Sequence, residues 1–340
     1  MRPFDYGRAQ SVQEALDRGG PFLAGGTTLI DLMKLDVEQP AQVTDIGPLP
    51  LGEIREVDGE LHIGALASMT AVAEHPLVVA RYAALREALL AGASQQIRNM
   101  ASMGGNVMQR TRCPYFRDVS FTACNKRTPG SGCGAREGHH RKMAVLGTSD
   151  TCIATHASDA AVALVAYDAR LTLQGPAGER EVSLQAFYRL PGETPHLEHD
   201  LREGELIVAL VLPAPVSGSG VYLKVRDRES YEFALSSAAA VVATENGVIS
   251  AARLALGGVG TVPWRSAEAE ALLVGQPATP ATFEAAAHAA LAGAQPLPQN
   301  AFKVPLTRRV IVRALMQAAG QIDPAGNTLG GHPTTQGGQA

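Results

Sequence analysis

Four cysteines constrain this chain more than any other feature. They stand at Cys113, Cys124, Cys133 and Cys152, spaced C-x10-C-x8-C-x18-C, and no other cysteine occurs in 340 residues. The stretch that carries them, QRTRCPYFRDVSFTACNKRTPGSGCG followed by GTSDTCIATHASD, has neither a helical nor an alternating apolar period. A loop of about 40 residues needs something besides regular hydrogen bonding to hold it together. Four soft thiolates gathered at one place suit an iron–sulfur cluster or a structural zinc. Zinc ligands usually come in closely spaced C-x-x-C-type pairs, because one tight turn then presents two thiolates, and no such pair occurs here. Long irregular spacing with a proline after a cysteine, Cys113-Pro114, suits a cluster better. So does the charge. Arg110, Arg112, Arg117, Lys126, Arg127, Arg136, Arg141 and Lys142 stand against only Asp118 and Glu137, and nearby cations stabilise an anionic all-thiolate cubane. Two disulfides, with three possible pairings, and four free thiols are the other readings. Free thiols favour apolar elements, which this segment lacks.

The flanking sequence is that of an ordinary globular protein. Apolar residues make up 46% and charged residues 18%, and the length suffices for two or three domains. A net charge of −4 gives no global positive field for nucleic acid. No apolar run approaches the ~20 residues of a membrane-spanning helix. The opening MRPFDYGRAQ lacks the apolar core of a signal peptide, so the expectation is a chain that does not direct its own export.

A serine start and glycine stop predict a helix over residues 11–20. PFLAGGTTLIDLMKLD predicts a short strand, a Gly-Gly turn and a helix from about Thr28. AQVTDI predicts a strand, EIREVDGELHIGAL a hairpin about Asp58-Gly59, and HPLVVARYAALREALLAGA one helix. IRNMASMGGNVM predicts a second small-residue loop. Beyond the cysteines come a helix capped by Ser158, a hairpin in RLTLQGPAGEREVSL and a strand in ELIVALVLPAP. APVSGSG marks a domain boundary. After it the pattern predicts strands joined at Asn246-Gly247 and helices near 266–274, 282–292 and 306–320. Residues 324–340, rich in Gly, Pro, Thr and Gln, predict a disordered tail. Strands followed by helices make an α+β pattern.

AGGTTL, residues 24–29, falls between a strand and a helix. A Gly-Gly turn there lets backbone N–H groups approach a phosphate, and the helix N-terminus adds a favourable dipole. ASMGGN, residues 101–106, repeats the chemistry. Each alone is most often only a turn, but the pair resembles two clamps on one diphosphate. Neither matches the P-loop or the G-x-G-x-x-G pattern, which disfavours a Rossmann site.

FLAGGTTLIDLMK, IGALASM, RNMASMGGNV and HASDAAVALVAYDA occur in an order that resembles the FAD-binding subunit of molybdenum hydroxylases, the xanthine dehydrogenase family. YLKVRDRESYEFALSSAAAVV and LALGGVGTVPWRSAEAEALL resemble the flavoprotein C-terminal domain of that family. The resemblance runs from the first helix to about Gln321. The cysteine segment is the narrower clue. RTRCPYFRD, CNKRTPGSGCG and AVLGTSDTCIATHASD resemble the FAD and [4Fe–4S] subunit of the periplasmic aldehyde oxidoreductase type, and resemble the 4-hydroxybenzoyl-CoA reductase flavin subunit less.

The resemblance implies an α+β chain with a two-subdomain FAD-binding fold of the vanillyl-alcohol-oxidase kind over 1–215. Its subdomains would be about 1–55 and 56–215, with the cluster loop at 109–152, and a smaller C-terminal domain would span 218–322. It implies FAD held around its pyrophosphate and ribityl chain by Phe22, Leu23, Ala24, Gly25, Gly26, Thr27, Thr28 and Leu29, and by Ala101, Ser102, Gly104, Gly105 and Asn106. Ser158, Asp159 and Lys224 would meet the flavin half; apart from the resemblance, Ser158 is a plain helix cap and Lys224 a solvated strand lysine. Ser102-Met103 stands where Thr-Ile or Thr-Met is usual, and Ala157 where Pro is common, but neither change removes a backbone donor. The resemblance also implies a [4Fe–4S] cluster on Cys113, Cys124, Cys133 and Cys152. No catalytic residue is implied on this chain. A molybdenum cofactor-binding large subunit would oxidise an aldehyde to a carboxylic acid, and a small subunit with two [2Fe–2S] clusters would carry electrons singly. FAD on this chain would pass them to an external acceptor, the redox chemistry belonging to the cofactors. A flavin subunit of the xanthine dehydrogenase or 4-hydroxybenzoyl-CoA reductase type is the alternative. A metal-stabilised scaffold with a basic loop is the alternative of another class. The implied compartment is the periplasm, through co-export with the small subunit, and otherwise the cytoplasm. His139 and His140 are expected at the surface, His62 in a strand, and Trp264 in a core or interface.

Overall fold

Three sheets carry the chain in the computed structural model, which describes residues 1–328. The first has three parallel strands, β1 (Asp5–Arg8), β2 (Phe22–Leu23) and β3 (Gln42–Asp45), in the order β1-β3-β2. Parallel neighbours need crossover connections, and two short helices supply them. Helix Val12–Arg18 is started by Ser11, whose side chain accepts from the Glu14 N–H, and stopped at Gly19 with φ 62°. Helix Leu29–Lys34 returns the chain from β2 to β3.

The second sheet is antiparallel. It contains β4 (Ile54–Val57), β5 (Glu60–Gly64), β6 (Arg170–Gly175), β7 (Gly178–Ser183) and β8 (Leu206–Leu212), in the order β4-β5-β8-β6-β7. Asp58 and Gly59 take φ values of 51° and 82°, the left-handed pair that a two-residue hairpin requires. The single helix expected over 75–93 is two, Pro76–Arg81 and Ala83–Ala91. Tyr82 breaks it: its backbone leaves helical geometry (φ −129°, ψ 54°), its ring is wholly buried, and its hydroxyl donates to Pro213 O at 2.9 Å. The cysteine segment is inserted before β6. Helix Asp159–Ala166 follows it and is buried from Ala160 to Ala166, as a helix apolar on all sides must be. It packs between helix Ala83–Ala91 and the third sheet.

The third sheet is antiparallel, with β9 (Ser219–Val225), β10 (Ser236–Glu245), β11 (Val248–Gly257) and β12 (Trp264–Arg265) in the order β12-β11-β10-β9. Helices Ala267–Leu273, Pro280–Ala290 and Lys303–Ala318 share a core with it. The last starts three residues earlier than the sequence suggests, because Pro305 falls in the first turn, where its missing N–H is not needed. Residues 324–328, the start of the expected tail, are among those described. Pro324 O accepts from Arg313 Nη2 at 2.9 Å, and Asp323 accepts from the Asn327 backbone and side chain at 2.8 and 2.9 Å. Residues 329–340, the rest of the expected disordered tail, lie outside the described residues. Among the described residues, no helix is long and apolar enough to cross a membrane.

Candidate functional site

Two cavities join at Thr27, Thr28 and Gly105 to make one elongated cleft. Phe22, Ala24, Gly25, Gly26, Leu29, Ser102 and Gly104 line the first lobe, together with the waist residues. Ala101, Asn106, Asp159 and Lys224 line the second. Leu23, in β2, and Ser158 line neither lobe. The sequence-expected residues are thus mostly brought together, from segments far apart in the chain.

The two glycine segments are not equivalent. Gly26 takes φ 74°, and the backbone N–H groups of Gly25, Gly26, Thr27 and Thr28 find no protein acceptor among the described residues. The second segment is not the open loop expected. Helices Gln95–Met100 and Met103–Val107 enclose it. Ser102 caps the latter by accepting from Gly105 N at 3.2 Å, and Gly104 N–H donates to Ala65 O at 2.8 Å. Its donors are therefore used inside the protein. The segments touch: a Cβ on Gly25 would lie 1.7 Å from Met100 O.

The second lobe is polar at its base. Ser158 caps helix Asp159–Ala166 through Ala161 N at 2.9 Å and donates to Asn106 Oδ1 at 2.5 Å. The cap reading of Ser158 therefore holds. Lys224 is no solvated strand lysine: its side chain is 4% exposed, and Nζ donates to Asp159 Oδ2 at 2.7 Å and to Ala91 O at 3.1 Å. Asp159 Oδ1 accepts from the Tyr222 hydroxyl at 2.6 Å. Burial pushes the Asp159 carboxyl up, while the Lys224 charge and the hydrogen bonds pull it back down. A buried pair of this kind persists because its remaining valences are satisfied.

Several residues at this lobe are not singled out by the sequence. Arg112 and Arg117 both reach Asp31 Oδ2, at 3.2 and 2.8 Å, and Arg112 lies over the Phe233 ring, 5.0 Å from its centre. Tyr231 and Phe233 are exposed aromatics lining the same lobe. The only sequence signal for the arginines is the cation excess that the cluster reading absorbs. Most of that excess is paired on folding. Arg110 pairs with Glu38 and Glu198, Arg136 with Asp150, Arg141 with Asp227, and Lys142 with Asp227 and Glu232. Arg127 donates to the carbonyls of Tyr115, Phe116 and Phe121. Of the eight cations, Lys126 alone lines the thiol cavity, and its Nζ is paired with Glu198 Oε1 at 2.8 Å.

Cys113, Cys124, Cys133 and Cys152 all line one small cavity, and none is in a disulfide. Cys124 and Cys133 oppose each other on a single antiparallel rung. Asn125 N donates to Gly132 O at 2.7 Å and Gly134 N to Ala123 O at 2.9 Å, so both thiols leave one face of a non-hydrogen-bonded pair. Leu32, Phe116, Met143 and Ile153 pack with them as a small core. Burial pushes the Cys113 thiol up to about 12 and raises Cys152 also. Among the described residues, no three His, Cys, Asp or Glu side chains are placed to hold one metal ion. The thiols ring a space; they do not converge on a point. His140, expected at the surface, is 5% exposed, because its ring Nε2 accepts from Gln299 N at 3.1 Å.

Residues 1–215 match the FAD binding domain in molybdopterin dehydrogenase, and residues 221–318 match the CO dehydrogenase flavoprotein C-terminal domain. The chain belongs to the family of FAD-binding subunits of molybdenum hydroxylases, and it is an oxidoreductase subunit with an FAD-binding domain. The aldehyde oxidoreductase FAD-binding subunit PaoB of Escherichia coli K12 is 46% identical, across 94% of this chain and 100% of its own length. The carbon monoxide dehydrogenase medium chain of Hydrogenophaga pseudoflava is 27% identical, across 93% of this chain and 96% of its own. A solved structure of carbon monoxide dehydrogenase from that organism superposes with a TM-score of 0.73 at 27% identity, covering 94% of this chain and 98% of the other. The expected α+β flavoprotein fold is thereby met.

Proposed function

We propose that the chain is the FAD- and [4Fe–4S]-containing electron-transfer subunit of a molybdenum-dependent aldehyde oxidoreductase. It would take electrons from the [2Fe–2S] clusters of a small subunit and deliver them to an external acceptor. The observation that carries this reading is the two-lobed cleft with its waist at the glycine segments, in a chain similar along its whole length to an aldehyde oxidoreductase subunit. The free N–H groups of Gly25 to Thr28 suit the diphosphate. The lobe containing Phe22 and Leu206 suits the adenosine, and the lobe containing Asp159 and Lys224 suits the flavin. When bound, FAD supplies two-electron chemistry and a cubane one-electron chemistry.

The cluster assignment is supported by the donor set: four buried or half-buried thiols around one cavity, with no carboxylate or imidazole in its lining. Ligation would deprotonate thiols that burial otherwise keeps neutral. We assign the FAD-binding fold to 1–215, with subdomains about 1–55 and 56–215, and the smaller domain to 218–322. The partners are a molybdenum cofactor-binding large subunit and a [2Fe–2S] small subunit, whose signal would carry the folded heterotrimer to the periplasm.

Anaerobic purification tests the cofactors. About one FAD and about four irons per chain are expected from the ligand count of an all-thiolate cubane. Stoichiometric zinc without iron overturns the cluster, and a chain that never holds flavin overturns the cleft assignment. Co-expression of the three chains with cell fractionation tests the assembly. A chain that never co-purifies with the others counts against it, and a cytoplasmic trimer removes only the export.

A further inference from the structure

The base of the Asp159–Lys224 lobe extends into a buried hydroxyl chain that the site assignment does not use. Tyr222 and Lys224 are two residues apart on β9 and so leave the same face of the sheet. The Tyr222 hydroxyl lies 2.6 Å from Asp159 Oδ1 and 2.9 Å from Ser237 Oγ, and Ser237 is wholly buried. A phenol has one proton and a carboxylate can only accept. Tyr222 therefore donates to Asp159, and the serine donates to Tyr222. The chain runs Ser237 to Tyr222 to Asp159, and the last meets the Lys224 ammonium. It ties a helix to the sheet beneath it, since Asp159 begins helix Asp159–Ala166 while the other three lie on β9 and β10 of the third sheet, on which that helix packs. Tyr222 is itself held by its backbone N–H, which donates to Glu87 Oε2 at 2.7 Å.

We propose that Tyr222 is a positioning residue for the flavin: it holds Asp159 ionised against Lys224, and so fixes the net charge that the protein presents to the flavin and with it the reduction potential. This rests on placing the flavin half in this lobe. Without the phenol, Asp159 Oδ1 is left with no donor on a side chain only 10% exposed, which favours the neutral acid. A neutral Asp159 no longer offsets Lys224. The lobe becomes more positive, and electrons on the flavin are favoured.

The test is a spectroelectrochemical titration of the purified FAD-loaded protein, following flavin absorbance at pH 7. Tyr222→Phe keeps the ring and its packing. It is expected to retain FAD and to raise the ratio of reduced to oxidised flavin about tenfold at fixed potential, an upward shift of ~30 mV for a two-electron couple. Ser237→Ala should move it in the same direction by less, and it carries the test if Tyr222→Phe does not fold. Lys224→Met should move it downward. If Lys224→Met shifts the potential while Tyr222→Phe and Ser237→Ala do not, the role of the tyrosine is overturned. If none of the three shifts it, the flavin half lies elsewhere and the lobe assignment itself fails. A merely structural tyrosine would lower FAD content and leave the potential of the retained flavin unchanged.

Discussion

Gly25 has no room for a side chain. A Cβ there would lie 1.7 Å from Met100 O and 2.6 Å from its carbonyl carbon, both backbone atoms that cannot step aside. Gly26 is glycine for another reason: φ 74° places it in the left-handed region, and its nearest neighbour for a Cβ is the Ile30 side chain at 3.1 Å. Gly25→Ala should therefore force the glycine segments apart. The expected cost is about 2–3 kcal/mol, as for overpacking a tight site, read as a lower urea midpoint together with loss of FAD on purification. Gly26→Val should cost roughly 1–2 kcal/mol through its backbone and also shed FAD, by blocking approach to the neighbouring N–H groups. A Gly25→Ala protein with an unchanged midpoint would mean that the segments do not touch. The sequence makes both glycine pairs legible as places of close backbone approach. It does not say which approach is to a ligand and which to another stretch of chain, because Met100 is distant in sequence and carries no mark of the contact.

Elements with a strong local pattern are legible, including the capped helices, the Asp58-Gly59 and Asn246-Gly247 hairpins and the strands of the second and third sheets. The misses fall where tertiary contacts override local pattern. Tyr82 looks like one more apolar residue of a helix but turns inward to reach Pro213 O. Gly104 and Gly105 weaken a helix by propensity, yet Ser102 and Ala65 take their N–H groups and close a helical turn. The cysteine segment shows no apolar period because its few apolar residues sit on irregular backbone and meet one another and Leu32, from the first sheet's crossover helix, in a small separate core. Its arginines look like a field around a cluster, since their acidic partners lie elsewhere in the chain. The single Cys124–Cys133 rung gives this element a sharp test. Cys124→Ser removes one thiol and leaves the rung's backbone hydrogen bonds intact. Iron should fall to less than half that of the parent protein, and limited proteolysis should open cuts within residues 113–152, while flavin content persists. Undiminished iron, measured against protein by a colorimetric assay, would remove Cys124 from the ligand set.

At the scale of the molecule, the cysteine segment is held from two sides. Lys126 and Arg110 converge on Glu198, which lines the first lobe of the cleft. On the other side Lys303, wholly buried at the start of the last helix, donates to Lys142 O at 3.0 Å, Met143 O at 2.9 Å and Gly258 O at 2.7 Å. One amine thus ties the C-terminal core to the cysteine segment and to the end of β11. Burial lowers the Lys303 amine to about 7; the charges of Arg141 and Lys142 add to the effect, and Asp227 opposes it. An unfolded lysine titrates near ~10.4. Between these values the unfolded chain binds more protons than the folded one, so the contribution of this group to stability rises with pH. Below pH 7 both states are protonated and the slope vanishes. Lys303→Met removes the slope and leaves three carbonyls without their donor, a loss of about 3 kcal/mol near neutral pH. The deficit of the variant should therefore be smallest near pH 7 and grow toward pH 10. Every other titrating group contributes alike to both proteins and cancels in the difference. Urea melts of both proteins at about pH 7, about pH 8.5 and about pH 10 check this. A deficit constant across that range would mean that the amine is not held out of water in the folded protein.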